Sequence, residues 1–310
     1  MRIKKIVFFL LPVSIVAEAF LLNVNLNHQP GIEAAASNEQ QISAVEPHVQ
    51  QLVEQEIIPP PSAPVSVQAL PDVPLKAAFA MEMYEDHKVL FEQNATKQLP
   101  IASLTKLMTS AVVMDHYDLN QKVIISPKAM AVAGEQGALK LGEQLSVKNL
   151  LYITLMESSN RAAQALSEVM GHDAFVKAMN DKAAQIGLLQ THFDGVTGLS
   201  SSTYSTALDI AKLSEFLFDN YPLFREIIGL KEYQLYTDDG HFHHTLVSTN
   251  KLLGEEGIVG GKTGWTNEAQ GCMMAIQAVG DKHIVYVVLG AGDRFLETKK
   301  IIDQDSSTGQ

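Results

Sequence analysis

Ser103-Leu104-Thr105-Lys106, Ser158-Ser159-Asn160 and Lys262-Thr263-Gly264 occur in this chain in that order. A serine hydroxyl is a weak nucleophile at neutral pH and needs an adjacent base. A lysine serves as that base only if burial or nearby positive charge lowers its pKa. Ser103 and Lys106 are three residues apart, which on a helix sets them one turn apart on one face. Lys262, brought close, would push the Lys106 pKa down. Ser158 supplies a hydroxyl for a proton relay with Lys106, and the Asn160 amide a donor for a substrate carbonyl. Ser158 or Ser159 also suits the cap of a following helix, Arg161 to Met170. Lys262 and Thr263 can bind a carboxylate, and Gly264 leaves room for a substrate backbone. Ser248-Thr249-Asn250-Lys251 repeats the first two patterns without a third beside it.

These side chains need elements to hold them. Pro100 precedes an apolar run with helical spacing (Leu104, Leu107, Met108, Ala111, Val112), which predicts a helix over Ile101–His116 with Ser103 in its first turn. Further helices are predicted at Val147–Met156, Ser159–Met170, Asp173–Ile186, Thr206–Phe218 and Leu296–Ile302. Strands are expected at Ala77–Met83, Lys88–Phe91, Cys272–Val279 and His283–Leu289, with turns at Glu85-Asp86 and Gly280-Asp281-Lys282. Strands at both ends with helices between predict an α+β domain. One antiparallel sheet is made by both ends of the domain, with an inserted helical lobe.

The three motifs belong together in penicillin-binding proteins and class A β-lactamases. The chain resembles most closely the serine D-alanyl-D-alanine carboxypeptidase/endopeptidase family of low-mass penicillin-binding proteins. The likeness runs from about Leu75 to Asp303. It takes in Leu141-Gly142-Glu143, Asp194-Gly195-Val196-Thr197-Gly198-Leu199, Ser205-Thr206-Ala207, Thr249-Asn250-Lys251 and Leu289-Gly290-Ala291. It implies a three-layer-like β-lactamase/transpeptidase fold. It also implies catalytic roles for Ser103, Lys106 and Ser158, and substrate binding by Asn160, Lys262, Thr263, Gly264 and Trp265. The oxyanion hole would be the N–H groups of Ser103 and Trp265, each worth roughly 3 kcal/mol by analogy with other acyl-transfer enzymes. The substrates implied are peptidoglycan stem peptides, with β-lactams as covalent inhibitors and no cofactor. One departure stands out. The family's Ala-Gly-x-Cys is here Ala269-Gln270-Gly271-Cys272. In a strand, moving a glycine by one swaps the face that carries a side chain.

Two other readings share the fold. A class A β-lactamase needs a glutamate in a Glu-x-x-Leu-Asn stretch after the second motif, and none lies between Arg161 and Gly261. A non-catalytic wall-binding protein would be signalled by loss of Ser103 or Lys106, and both are present. Many family members continue into a β-rich domain and an amphipathic anchor. This sequence stops at Gln310 without them, as in shorter endopeptidase-type members, so both cleavage modes stay open.

The formal charge of −12 argues against a nucleic-acid partner. Beyond residue 75 there are 28 acids and 20 bases, a charge of −8. Arg2, Lys4 and Lys5 followed by an apolar run make residues 1–24 a signal peptide or a signal anchor. Membrane attachment would pass through this segment, and either form places the domain outside the cytoplasm. Residues 25–74 lack Lys and Arg, are rich in Pro, Gln and Glu, and read as an extended linker to a catalytic domain at 75–310. Cys272, the single cysteine, reads as a buried small hydrophobe. His241, His243 and His244 lack a scaffold for a metal and read as a solvated or strand-edge cluster.

Overall fold

The computed structural model describes residues 75–84 and 87–308, with side chains to 304. Residues 1–74, expected to be an export segment and a linker, and the turn expected at Glu85-Asp86 lie outside the described residues.

The chain opens with strands β1 (Ala77–Glu82), β2 (Val89–Gln93) and β3 (Leu99–Pro100). A 3-10 turn at Ala102–Leu104 leads into α1 (Thr105–His116). The helical lobe follows, with β4 (Lys122–Ile124), α2 (Pro127–Met130), β5 (Gln144–Ser146), α3 (Val147–Met156) and α4 (Asn160–Glu168). After these come α5 (His172–Gln185), β6 (Tyr204–Ser205), α6 (Ala207–Asn220) and α7 (Pro222–Gly229). A hairpin of β7 (Glu232–Tyr236) and β8 (Phe242–Val247) precedes β9 (Ile258–Thr266), β10 (Gln270–Val279), β11 (Lys282–Ala291) and α8 (Arg294–Thr308).

The expected sheet is present. Five strands pair antiparallel in the order β2-β1-β11-β10-β9, so both ends of the domain build it. Successive side chains on a strand point to opposite faces. Phe79, Met81, Met274, Ile276, Val285 and Val287 face the helical lobe. Ala78, Ala80, Met273, Ala275, Tyr286 and Val288 pack with Ile301 and Ile302 of α8. Both faces are covered, which is why β10 and β11 read as unbroken apolar runs rather than alternating ones. In the helical lobe, α1 is buried along Thr105–Val113, Lys106 included.

Four features differ from the sequence expectation. The first helix starts later, because Ala102 takes a left-handed φ of 47° and the turn holding Ser103 is 3-10. Lys262-Thr263-Gly264 lies within β9, at the edge of the sheet, rather than in a connection before a strand. Helix α7 and the β7–β8 hairpin were not expected. Helix α7 had a readable signal, with Pro222 at its start and Phe224, Ile227 and Ile228 buried at helical spacing. The hairpin had little, since it buries only Leu235 and Leu246.

Candidate active site

Lys106 is fully buried, and its ammonium has three acceptors. Nζ donates to Ser103 Oγ at 2.9 Å, Asn160 Oδ1 at 2.7 Å and the Thr197 carbonyl at 2.9 Å. None of the three is a carboxylate. Burial, and after it the charge of Lys262, hold the Lys106 pKa well below the ordinary lysine value. Lys262 is also buried, and donates to the Thr263 carbonyl at 3.0 Å. Burial and then Arg294 lower its pKa to about 7. A lysine without a counter-ion in a dry site favours its neutral form. Neutral Lys106 can accept the Ser103 proton along the contact already made.

Glycines let these segments meet. A Cβ on Gly198 (φ 81°) would lie 1.8 Å from the Ala102 carbonyl oxygen and 2.6 Å from Thr105 Oγ1. A glycine there lets the 194–199 segment lie along α1, where Thr197 and Val196 offer carbonyls to Lys106 and Thr109. A Cβ on Gly264 would lie 2.8 Å from the Ser103 backbone nitrogen. What Gly264 admits is therefore the nucleophile's own turn, not only a substrate backbone. Thr263 Oγ1 donates to Thr249 Oγ1 at 2.7 Å. The second S-x-x-K is thus a buttress, and its Lys251 sits over the Phe295 ring.

Ser158 has a left-handed φ of 61° and lines the cleft. It makes no side-chain hydrogen bond among the described residues, so the expected contact with Lys106 is not formed. Asn160 takes that place. Its carbonyl holds Lys106, and its amide donates to the Ala133 carbonyl at 2.8 Å. The residue read as a substrate donor therefore positions the lysine. Ser159 is the cap of α4, accepting from the Ala162 N–H at 3.2 Å and donating to the Gln136 carbonyl at 2.7 Å.

The cleft, about 230 Å³, brings together Ser103, Ser158, Asn160, Thr263, Gly264 and Trp265. Trp265 is 55% exposed at its rim. Lys262 lies behind Thr263 rather than on the surface of the cleft. Glu157, Thr249 and Arg294 also line it. Arg294 is half-buried, its Nε has no partner among the described residues, and its guanidinium lies 4.7 Å from the Phe295 ring centroid. Among the described residues Arg294 is in no ion pair, and a guanidinium beside a cleft is chemically suited to an anion. Sequence reasoning missed it, because a lone arginine opening a helix carries no local signal. A larger cleft, about 670 Å³, lies between α6 and β1 and contains none of the motif residues.

The displaced glycine is explained differently than expected. Gln270 takes the left-handed conformation, φ 60°, and donates to the Asn267 carbonyl. A Cβ at Gly271 would lie 2.8 Å from the Ala291 carbonyl oxygen and 3.2 Å from Arg294 Cβ. Gly271 thus makes room for the start of α8 and its arginine. Cys272 is buried behind β9, and burial pushes its thiol up to about 11.

A sequence profile described as D-alanyl-D-alanine carboxypeptidase matches residues 64–293. The chain is 33% identical over 228 residues to the D-alanyl-D-alanine carboxypeptidase DacF of Bacillus subtilis, covering 70% of this chain and 58% of that protein. It therefore spans less than two thirds of that relative. It is 31% identical over 241 residues to a D-alanyl-D-alanine endopeptidase of Escherichia coli, covering 76% of this chain and 77% of that one. Among solved structures, the Streptomyces K15 DD-transpeptidase superposes with a TM-score of 0.71 at 28% identity, over 76% of this chain and 98% of that one.

Proposed function

The chain belongs to the D-alanyl-D-alanine carboxypeptidase family, and on that premise we propose that it is a serine D,D-peptidase. It hydrolyses D-alanyl-D-alanine-type bonds of peptidoglycan stem peptides through an acyl-enzyme on Ser103. The observation that carries this reading is the 2.9 Å contact between Ser103 Oγ and a buried, carboxylate-free Lys106.

In this reading the substrate's terminal carboxylate meets Thr263 and Arg294, with Lys262 behind them. Neutral Lys106 takes the proton of Ser103 as Oγ attacks the carbonyl of the penultimate residue. The backbone N–H groups of Ser103 and Trp265 hold the oxyanion. The leaving amine takes its proton from Lys106 by way of the Ser158 hydroxyl, and the C–N bond breaks. Water then attacks the ester, giving its proton to Lys106; the C–O bond breaks, and Lys106 passes that proton to the departing Ser103 Oγ. The departing amine is a free D-amino acid in the carboxypeptidase mode and a cross-linking side-chain amine in the endopeptidase mode. β-Lactams acylate the same serine. Residues 75–310 are read as the catalytic domain, 25–74 as a linker and 1–24 as an export signal or anchor, which would put the enzyme outside the cytoplasm, in the periplasm, in the cell wall or on the outer face of the cytoplasmic membrane. No helix among the described residues is long and apolar enough to cross a membrane.

Intact-protein mass after adding benzylpenicillin tests the reading. The expected result is a persistent adduct that Ser103→Ala removes. An adduct that survives the substitution would exclude Ser103 as nucleophile. A fleeting adduct with consumed drug would favour a β-lactamase.

A further inference from the structure

The cleft wall at Glu157 joins a chain of four side chains that the reaction leaves unused. His243 and His244 are neighbours on β8, with ring centroids 4.7 Å apart and the two Nδ1 atoms in short contact. His244 Nε2 lies 3.1 Å from Glu157 Oε2. At the other end, His243 Nε2 lies 2.9 Å from Glu143 Oε1, without good hydrogen-bond angles. His243 is 6% exposed and His244 19%, so water does little to screen them. Of the solvated or strand-edge cluster expected from sequence, the strand-edge form is present, with His241 solvated and His243 and His244 packed against glutamates on an edge strand.

Counting protons shows what the chain requires. Two Nδ1 atoms in contact must share one proton, since two lone pairs or two N–H groups would repel. Each Nε2 against a carboxylate needs a proton of its own. The three contacts therefore take three protons, while two neutral imidazoles carry two. The extra proton belongs to an imidazole, whose ordinary pKa is about 6.5, rather than to a glutamate, at about 4.3. Burial pushes the His243 pKa down, so the extra proton is shared across the pair rather than fixed on that ring.

Other charged groups are few. The loop before β5 contributes Glu143 and Lys140, and the end of α3 contributes Glu157. Within the hairpin, His241 pairs with Asp239 at the tip, and β7 brings Glu232 opposite Val247, three residues from His244. Lys106, Lys262 and Arg294 lie at or behind the cleft that Glu157 lines.

Glu157 immediately precedes Ser158, a serine in a left-handed conformation that L-residues rarely adopt. Such a conformation persists only where its surroundings impose it. Ser159, bonded to Gln136, fixes one side of the turn, and Glu157, bonded to His244, fixes the other. We propose that Glu143, His243 and His244 are positioning residues. By sharing one proton beyond those of two neutral imidazoles, they hold Glu157 and with it the strained Ser158 turn. When that proton leaves to solvent one link is lost and the turn loosens. A second extra proton sets two N–H groups against each other and also breaks the chain. The effect on acylation rests on the reading of Ser103 given above.

The test uses the full chain and Glu143→Gln, since Glu143 does not line the cleft and is partly exposed. Nitrogen-15 NMR of the histidine rings and the benzylpenicillin acylation rate are each followed from about pH 5 to 9. At neutral pH the two rings are expected to carry three protons between them. The pair then releases its extra proton in one step on raising the pH. Glu143→Gln removes a negative charge that favours the imidazolium, so that step falls by about 1 pH unit, and a limb of the acylation profile moves with it. Two neutral rings at pH 7 titrating independently would overturn the proposal. So would a histidine step that moves while the acylation profile stays put. A chain that acylates at no pH would fail the reading of Ser103, and the ring titration would still decide the shared proton.

Discussion

Two pairs of basic side chains flank the Ser158 turn, and they are built on opposite electrostatic plans. Lys106 and Lys262 are buried together with carbonyl and hydroxyl acceptors and no carboxylate. His243 and His244 are packed together with a glutamate at each outer nitrogen. The first arrangement expels protons, because each charge is desolvated and faces another of like sign. The second offers a carboxylate at each outer nitrogen, a counter-ion for the shared proton proposed above. The first favours a neutral amine and the second a charged link. Proximity of like groups has no fixed consequence; the counter-ions decide.

The comparison breaks most sharply at Lys106. Lys106→Met should reduce benzylpenicillin acylation by about 10³-fold or more. It should also stabilise the fold, because a lysine that must be desolvated and give up its proton on folding is replaced by an apolar side chain of similar length. The expected gain is about 1–4 kcal/mol in urea unfolding. A variant that is both inactive and less stable would contradict the description of Lys106 as an uncompensated base.

Asn160→Asp gives the lysine pair what the histidine pair already has. A carboxylate at the 2.7 Å position of Asn160 Oδ1 raises the Lys106 pKa. The rise leaves less neutral base at pH 7, so acylation falls there and recovers as the pH increases. An acylation deficit that is the same at every pH would show that Asn160 acts on something other than the lysine proton.

The smallest effect is on stability. The folded Lys262 pKa, about 7, lies below the unfolded value of about 10.4. Between the two, the unfolded chain binds more protons, so raising the pH stabilises the fold. Lys262→Met should therefore be more stable than the parent at pH 7, with a gap that narrows toward pH 10. Unfolding by urea at several pH values measures it. A constant gap would mean that Lys262 titrates normally.

Much of the site is legible in the order and spacing of the residues. Ser103 and Lys106 are three residues apart, and one turn of almost any helix brings them into contact. The sheet made by both ends of the domain follows from apolar runs at the two ends. Other features had no local signature. Strand β9 carries Gly260-Gly261-Lys262-Thr263-Gly264, poor strand formers placed there because a Cβ at Gly264 would strike the Ser103 backbone. Gln270 in a left-handed conformation answers to the packing of Gly271 against α8. The histidines looked solvated because Glu143 and Glu157 are distant in sequence.

The sequence by itself determined which groups could react: a serine, a lysine one turn away, and a Lys-Thr-Gly carboxylate site. It also determined the strand–helix–strand order that could hold them. Only the tertiary structure decided where the protons reside. Lys106 is driven toward its neutral form by burial and by Lys262 on β9, while acceptors from α4 and the Thr197 segment hold its amine in place. A pKa is the sum of desolvation and Coulomb interactions over every group within several ångströms. That sum runs over neighbours in space, and no local pattern of residues contains it.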